Sequence, residues 1–186
     1  MKLSWSHKLF LKINRQLGKH PTLDWLFLYA AHWLIYILGF AVLHWSSSYL
    51  DLLSFKIFMK LILTSMIFGL VGNWLLGLVW RHPRPHKELK DIKLLFNPVE
   101  NWKSFPSDHT TISFVFVFVA LLFQPPLWLA ILFFALAVII GTARVYAGVH
   151  YPRDIIAGFF FALIYSALSF WLLENISQPF YNFIIK

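Results

Sequence analysis

Charged residues are absent from four long stretches of this chain, 25–43, 61–80, 110–143 and 155–173. The third stretch has 34 residues and would extend about 51 Å as one helix, against a hydrocarbon core of roughly 30 Å. Gln124-Pro125-Pro126 divides it into two segments of ordinary length. The pattern therefore predicts five transmembrane helices, over 25–43, 61–80, 107–123, 127–147 and 155–173.

The first 24 residues alternate five basic side chains with leucine, isoleucine and phenylalanine, which favours a helix lying in the membrane interface. The first apolar stretch begins late and is long enough to span a membrane, which argues against a cleaved signal peptide. We expect an all-α integral membrane protein with a single domain, 1–186. It would comprise an N-terminal interfacial amphipathic helix (1–24), a five-helix core (25–173) and a tail (174–186).

Composition agrees with a membrane protein, because 59% of the residues are hydrophobic and only 13% are charged. The formal net charge of +8 does not indicate nucleic acid, since the basic residues lie in loops between the predicted spans. Anionic lipid headgroups and phosphorylated substrates are the nearer partners there. The chain has no cysteine, which excludes disulfides and thiolate metal sites. The oligomeric state stays open.

Counting the spans places three polar segments on one membrane face: the N-terminal segment, the loop 81–106 and the loop 148–154. Each arginine taken alone suits a span end that reaches toward headgroups, and each lone histidine is unremarkable. Their convergence from distant parts of the chain is instead typical of a binding site. The side chains brought together are Arg81, His82, Arg84, His86, Lys87, Ser107, Asp108, His109, Arg144, His150 and Asp154.

Ser107 follows a proline and precedes the apolar run of the third span, so it is a predicted N-cap. The amides of that first helical turn, together with the helix dipole, favour an anion. His109 would then lie beside the bound anion. Asp108 is a further candidate at the same place.

His150 stands four residues before Asp154, at the predicted start of the last span, which Pro152 favours. A carboxylate at that spacing can accept a hydrogen bond from one imidazole nitrogen and leave the other as a nucleophile. Arg84 and Arg144 supply planar guanidinium groups that suit phosphate oxygens.

These parts predict phosphoryl transfer in which His150 attacks phosphorus and His109 protonates the leaving oxygen. The sequence has neither an H-E-x-x-H motif nor a Walker loop, so we expect no metal and no cofactor.

Three motifs in this order resemble the signatures of the type 2 phosphatidic acid phosphatase superfamily of membrane lipid phosphatases. They are Arg84-Pro85, the PSDH stretch 106–109, and the R-x5-H-x3-D stretch 144–154. More narrowly, HPRP, FPSDHTT and VYAGVHYPRD are similar to the short bacterial undecaprenyl-diphosphate phosphatases of the bacitracin-resistance type. The resemblance implies His150 as nucleophile, Asp154 as its partner and His109 as acid. It implies Arg84, Ser107 and Arg144 as phosphate ligands, with Gly148 a further candidate.

The sequence departs from this family's pattern at two positions. The first motif usually opens with lysine seven positions before its arginine, where Gly77 stands, and the third usually begins with serine, where Ala143 stands. The serine is a minor loss, whereas the lysine is a missing phosphate cation. Arg81 or Lys87 is the candidate replacement, because both lie near Arg84.

The resemblance implies a substrate whose terminal phosphate is removed, undecaprenyl diphosphate. Phosphatidylglycerol phosphate, phosphatidic acid and lipid A phosphates stay open as alternatives, and so does a protein that binds or transports a lipid phosphate without cleaving it. An imidazole oriented by Asp154 favours the enzyme. Vanadium haloperoxidases share this kind of pocket, but they are soluble. The loop 81–106, with Phe96 and Trp102, is expected to roof the site.

The membrane orientation has two conflicting indications. The face that bears the motifs holds 13 of the 16 Lys and Arg residues, so the positive-inside rule places it in the cytoplasm. The resemblance implies the outer surface of the bacterial cytoplasmic membrane, where the spent carrier lipid is released. We follow the resemblance, because catalysis explains two of those arginines.

Overall fold

The computed structural model describes residues 3–98 and 102–184, and its regular elements are helices. In chain order they are α1 Trp5–Asn14, α2 Pro21–His32, α3 Leu34–Tyr49, α4 Leu52–Val79, α5 Pro85–Glu88, α6 Asp108–Leu121, α7 Leu127–Tyr146, α8 Pro152–Ala167, α9 Ser169–Leu172, a π-helical turn Leu173–Ser177, and α10 Gln178–Ile184.

Helix α6 lies at the centre and packs against α3, α4, α7 and α8. Ten of its fourteen residues are buried, as is typical of a helix that is apolar on every side. Val115, Val119 and Phe114 fill the core around it, with Leu38 and Phe133 from neighbouring helices. The N-terminus of this central helix consequently lies deep among the other elements, and this is where the candidate site forms.

The outer faces of the surrounding helices expose large apolar side chains. Phe40 of α3 is 72% exposed, and Leu127 at the start of α7 is 75% exposed. Exposed apolar surface on this scale is unfavourable in water and suits contact with lipid. The structure thus supports a membrane protein whose polar residues converge inside.

Membrane-length helices are fewer than the five predicted. Among the described residues, α4 and α7 are each long and apolar enough to span, and two bent pairs qualify if each is one span. These pairs are α2 with α3, bent by 52°, and Pro152–Ala167 with Ser169–Phe183, bent by 58°. Helix α6 has fourteen residues, about 21 Å at 1.5 Å per residue. The count of five is therefore not confirmed, and up to four spans are supported.

Several predicted boundaries were wrong. The first predicted span, 25–43, is interrupted at Trp33, where α2 ends and α3 begins. Helix α4 begins at Leu52 rather than at 61, because the Asp51 side chain caps it, accepting hydrogen bonds from the amides of Leu53 (2.9 Å) and Ser54 (3.1 Å).

Both ends of the chain are helical and contact the rest of the protein. The N-terminal helix is α1 alone, not 1–24, and it is docked on the protein: Phe10 is fully buried against the Tyr151 ring. The predicted tail is helical from 174 to 184. Its Gln178 accepts a hydrogen bond from Lys60 of α4 at 2.7 Å. Tertiary contacts order both segments.

Candidate active site

A cavity of about 340 Å³ opens at the N-terminus of α6. It is lined by His32, Arg84, Phe96, Asn97, Pro98, Asp108, His109, Arg144 and His150. The structure brings five of the predicted residues together here, Arg84, Asp108, His109, Arg144 and His150, although they come from three separate stretches of chain. His109, in the first turn of α6, is half-buried.

His150 lies in the loop between α7 and α8 and is 4% exposed. Its Nδ1 atom is 2.9 Å from the Ser104 carbonyl oxygen, and its Nε2 atom is 3.3 Å from Nη1 of Arg84. A carbonyl can only accept, so we assign the ring proton to Nδ1. The lone pair then lies on Nε2, beside the guanidinium that faces the cavity.

Asp154 is placed differently from the prediction. Its Oδ2 atom is 3.6 Å from Nδ1 of His150, which is longer than a hydrogen bond. The carboxylate is instead fixed by the Ser104 hydroxyl at 2.6 Å and by the Tyr151 amide at 2.8 Å. Asp154 is fully buried and supports the imidazole electrostatically, while the Ser104 carbonyl takes the direct hydrogen bond.

Burial lowers the pKa of His150 to about 4, from an ordinary value of 6.5. The Arg84 cation acts in the same direction, and the Asp154 carboxylate opposes it. The imidazole of the protein without substrate is consequently neutral at physiological pH, which is the form with a nucleophilic nitrogen.

Two buried arginines flank the imidazole. Nη1 of Arg84 donates to the Val149 carbonyl at 2.9 Å, and Nη1 of Arg144 donates to the Ala31 carbonyl at 3.0 Å. The Arg144 guanidinium also lies 5.2 Å from the centre of the Phe96 ring. Within the described part of the chain its Nε atom has no hydrogen-bond partner. Anchored in this way, the guanidinium groups are positioned to bind an anion.

Ser107 is the N-cap of α6, as predicted, and its Oγ atom accepts from the Thr110 amide at 3.4 Å and the Thr110 hydroxyl at 3.0 Å. The residue is fully buried, and it is not among the described residues that line the cavity. Asp108 does line it, with its carboxylate bound by Asn73 Nδ2 (2.9 Å) and Lys103 Nζ (3.0 Å). The serine thus shapes the helix start that presents Asp108 and His109.

Five other predicted residues lie outside the cavity lining as the structure describes it: Arg81, His82, His86, Lys87 and Gly148. Arg81 and Lys87 are exposed, and the structure does not bring either to the site. Gly148 has a φ of +84°, its amide donates to the Val145 carbonyl at 3.0 Å, and a Cβ there would lie 2.4 Å from the Lys93 carbonyl. Gly148 therefore permits a tight turn beside His150.

Several residues in or around the cavity were not assigned to the site from the sequence. His32 lines it, and a histidine inside a predicted span is a recognisable signal of function. Asn73, Lys103 and Ser104 are all buried and bond to Asp108 or Asp154. They carry no motif that would mark them in a single sequence.

The two departures from the resembled motifs have structural counterparts. Ala143 is fully buried in a small apolar cluster that includes Ala30 and Ala31. At Gly77, a Cβ would lie 2.7 Å from Cδ of Lys103. The Lys103 side chain therefore runs through the space that a side chain at 77 would enter.

A family model described as the PAP2 superfamily matches residues 58–178, about two thirds of the chain. The chain belongs to the PAP2 superfamily. The match contains all three motifs and every predicted residue of the cavity, so the resemblance seen in the sequence is confirmed.

Named relatives of this PAP2 protein differ in their substrates. It is 31% identical over 122 residues to the undecaprenyl-diphosphatase BcrC of Bacillus subtilis, covering 64% of this chain and 60% of that protein. It is 34% identical over 114 residues to the lipid A 1-phosphatase of Rhizobium johnstonii, covering 59% and 45%. The crystal structure of Aquifex aeolicus LpxE superimposes with a TM-score of 0.75 at 29% identity, covering 91% of this chain and 96% of that one. The chain spans about half the length of the curated relatives it matches.

Proposed function

We propose that this PAP2 protein is a membrane lipid phosphatase that removes the terminal phosphate of undecaprenyl diphosphate through a phosphohistidine intermediate. The observation that carries the proposal is the neutral His150 imidazole. Its Nε2 lies beside Arg84, in a cavity that also contains Arg144 and His109. A nucleophile, two phosphate-binding cations and a proton donor are the parts that such a reaction requires.

In the first step, Nε2 of His150 attacks the terminal phosphorus and forms an N–P bond. The bond between phosphorus and the bridging oxygen breaks, and His109, which takes up a proton when the phosphate anion binds beside it, gives that proton to the oxygen. Arg84 and Arg144 bind the phosphoryl oxygens, whose negative charge must be compensated throughout. The Ser104 carbonyl and Asp154 stabilise the positive imidazole that forms at His150.

In the second step, water attacks the phosphohistidine. His109, now neutral, accepts a proton from the water, the N–P bond breaks, and inorganic phosphate leaves with the imidazole restored. Over both steps one water is consumed, and one phosphate and one dephosphorylated lipid are released. No metal or cofactor enters this scheme, and the described residues contain no cluster of three or more His, Asp or Glu side chains that could hold a metal ion.

The substrate proposal is supported by similarity to the undecaprenyl-diphosphatase BcrC. A second candidate is a lipid A phosphate, favoured by similarity to the Rhizobium lipid A 1-phosphatase. Phosphatidylglycerol phosphate and phosphatidic acid present the same terminal group. A carrier that only holds the phosphate would need Arg84 and Arg144, but it would have no use for an oriented neutral imidazole.

Phosphate release by the purified protein in detergent tests the proposal. Undecaprenyl diphosphate is compared with lipid A, phosphatidylglycerol phosphate and phosphatidic acid, and we expect the highest kcat/KM for the diphosphate. Labelled substrate, quenched rapidly, should leave an acid-labile and base-stable phosphate on the protein. Stoichiometric binding without phosphate release would instead identify a carrier.

We propose further that the cavity opens at the outer face of a bacterial cytoplasmic membrane. The charge count that opposes this includes Arg84, Lys103 and Arg144, and these three are buried within the protein. Buried cations contribute little to an orientation signal that acts through exposed loops. Nine exposed or partly exposed basic residues among those the structure describes still favour the opposite orientation, so the proposal rests on the resemblance to enzymes that act on spent carrier lipid.

A further inference from the structure

A groove of about 280 Å³ lies on the outer flank of α4, next to the phosphate-binding cavity. It is lined by Leu70, Val71, Trp74, Lys103 and Asp108. Asp108 also lines the cavity, so the groove and the cavity meet at this residue. Leu70, Val71 and Trp74 are each about half exposed on a helix long and apolar enough to span a membrane. The groove thus adjoins the cationic cavity and presents a lipid-compatible wall.

A buried ammonium group stands at the head of this groove. The side chain of Lys103 is 4% exposed, and its Nζ atom lies 3.0 Å from Oδ2 and 3.2 Å from Oδ1 of Asp108. Asn73 Nδ2 holds the same carboxylate at 2.9 Å. An ammonium carries three donor hydrogens, of which the Asp108 oxygens take at most two. Because Asn73 also donates a hydrogen bond to the Asp108 carboxylate, Lys103 keeps a donor hydrogen for a second anion.

From this juxtaposition we propose that the α4 groove binds the leaving group of the substrate, and that Lys103 binds a second phosphate in it. This inference rests on the proposed function and specifies its substrate class. A polyprenyl diphosphate has three parts in a row: a terminal phosphoryl group, a second phosphate and an apolar chain. The cavity, Lys103 and the apolar wall of Leu70, Val71 and Trp74 follow in the same order. A monophosphate ester has no second phosphate and makes no use of Lys103.

A second groove also adjoins the cavity, through His32, but it lacks this arrangement. It is lined by Trp25, Leu28, Tyr29, His32 and Trp33. None of its described lining residues is a lysine or arginine, so it offers no permanent cation for a second phosphate. We therefore assign the diphosphate lipid to the α4 groove, and Trp25 serves as a comparison position.

Gly77 keeps open the path that the Lys103 side chain follows. A Cβ at 77 would lie 2.7 Å from Cδ of Lys103 and 3.1 Å from the Trp102 ring. Even alanine at 77 therefore displaces the Lys103 chain or the indole. A lysine at 77 would enter the same space if Lys103 were shortened. Substitutions at 77 and 103 can therefore place the ammonium group on either of these two backbone positions.

The experiment compares steady-state hydrolysis of undecaprenyl diphosphate and phosphatidic acid by purified variants. Lys103→Met should raise KM for the diphosphate about tenfold or more relative to its effect on KM for phosphatidic acid, the contribution of one charge-assisted hydrogen bond. Loss of the ion pair to Asp108, which lines the cavity, affects both substrates and cancels in this ratio. Lys103→Arg should retain most of the preference. Lys90→Met, at an exposed lysine of the same loop, is the matched control and should change neither value.

Moving the ammonium group from position 103 to position 77 distinguishes an effect of its charge on KM from an effect on folding. Gly77→Lys combined with Lys103→Ala should recover diphosphate KM relative to Lys103→Ala alone, whereas Gly77→Ala should raise it although Lys103 is intact. Trp74→Ala should raise KM for both long-chain lipids, and Trp25→Ala should not. For a short-chain prenyl diphosphate, Lys103→Met should raise KM, whereas Trp74→Ala should leave KM unchanged.

The outcomes separate this inference from the proposed function. Equal losses on both lipids in Lys103→Met, at an unchanged melting temperature, would make Lys103 a support of the phosphoryl cavity and overturn the assignment. A KM increase in Trp25→Ala but not in Trp74→Ala would place the chain in the other groove. If the wild-type protein hydrolyses phosphatidic acid but not the diphosphate, the proposed substrate and the second-phosphate site are both refuted. The proposal that the protein is a lipid phosphatase would still hold.

Discussion

Nδ1 of His150 lies 2.9 Å from the backbone carbonyl oxygen of Ser104, and the Asp154 carboxylate stands behind it at 3.6 Å. A main-chain acceptor, which side-chain substitution leaves in place, therefore fixes the orientation of the proposed nucleophile. The carboxylate acts on the imidazole through charge and through its hold on Ser104. Because the Ser104 carbonyl and the Asp154 carboxylate act on the imidazole in different ways, substitutions at 104 and 154 should lower activity to different extents.

We expect His150→Ala to abolish turnover while the protein stays folded. Asp154→Asn should lower kcat about 100-fold, less than the roughly 10⁴-fold loss for a directly bonded triad aspartate, because the Ser104 carbonyl still selects the tautomer. Ser104→Ala keeps that carbonyl and should lower kcat about tenfold or less. Phosphate release measures all three. Equal losses in Asp154→Asn and His150→Ala would contradict the arrangement, and activity in His150→Ala would remove it as nucleophile.

Stability should depend on pH through His150. Its pKa is lowered to about 4 in the folded protein, against 6.5 ordinarily, so the unfolded chain binds more protons between those values. Stability is then fully present above about pH 6.5 and is lost as the pH falls toward 4, by roughly 3 kcal/mol from this residue. Melting temperatures in detergent at pH 7 and pH 4.5 measure it. The melting temperature of His150→Gln should fall less on acidification than that of the wild type. An equal fall would contradict the buried neutral imidazole.

Gly148→Ala should destabilise the protein more than Gly18→Ala, although both glycines have φ near +85°. The left-handed conformation costs alanine about 1–2 kcal/mol at either position. Only at 148 would the Cβ also meet a backbone atom, the Lys93 carbonyl at 2.4 Å, which adds about 1–3 kcal/mol of overlap. Thermal unfolding in detergent measures the difference. Equal destabilisation would show that the contact between 93 and 148 is looser than described.

Activity should persist when divalent metals are removed, because the proposed steps use only side chains and water. Phosphate release is measured in EDTA and again after adding Mg²⁺, Mn²⁺ or Zn²⁺. We expect rates within about twofold of the untreated protein. Loss in chelator that a divalent ion restores would refute the metal-independent mechanism and leave the family membership untouched.

Labelling in intact cells should report the orientation. The chain has no cysteine, so Lys19→Cys and Lys56→Cys each introduce a single thiol at an exposed position. Lys19 precedes α2 on the face of the cavity, and Lys56 lies near the opposite end of α4 from Gly77. If the cavity opens outward, an impermeant maleimide should modify Lys19→Cys and spare Lys56→Cys. The reverse pattern would place the cavity in the cytoplasm, as the positive-inside rule predicts.

Local signals in the sequence determined several features correctly. Ser107 caps α6, Pro152 begins α8, and the Gln124-Pro125-Pro126 break separates α6 from α7. Each depends on the conformational preferences of neighbouring residues, which a single sequence displays. The order of the motifs also predicted that Arg84, Asp108 and His150 would meet, because successive helices return the chain to the same face.

Only the tertiary structure decided how those residues are held. His150 bonds to a carbonyl 46 positions away in the chain, and Lys103 reaches Asp108 across the space that Gly77 leaves open. The bends at Trp33 and after Ala167 likewise appear in apolar stretches that look continuous in the sequence. Such contacts arise from the packing of distant segments against one central helix. Composition and spacing therefore indicated which residues form the proposed site, and packing determined their geometry.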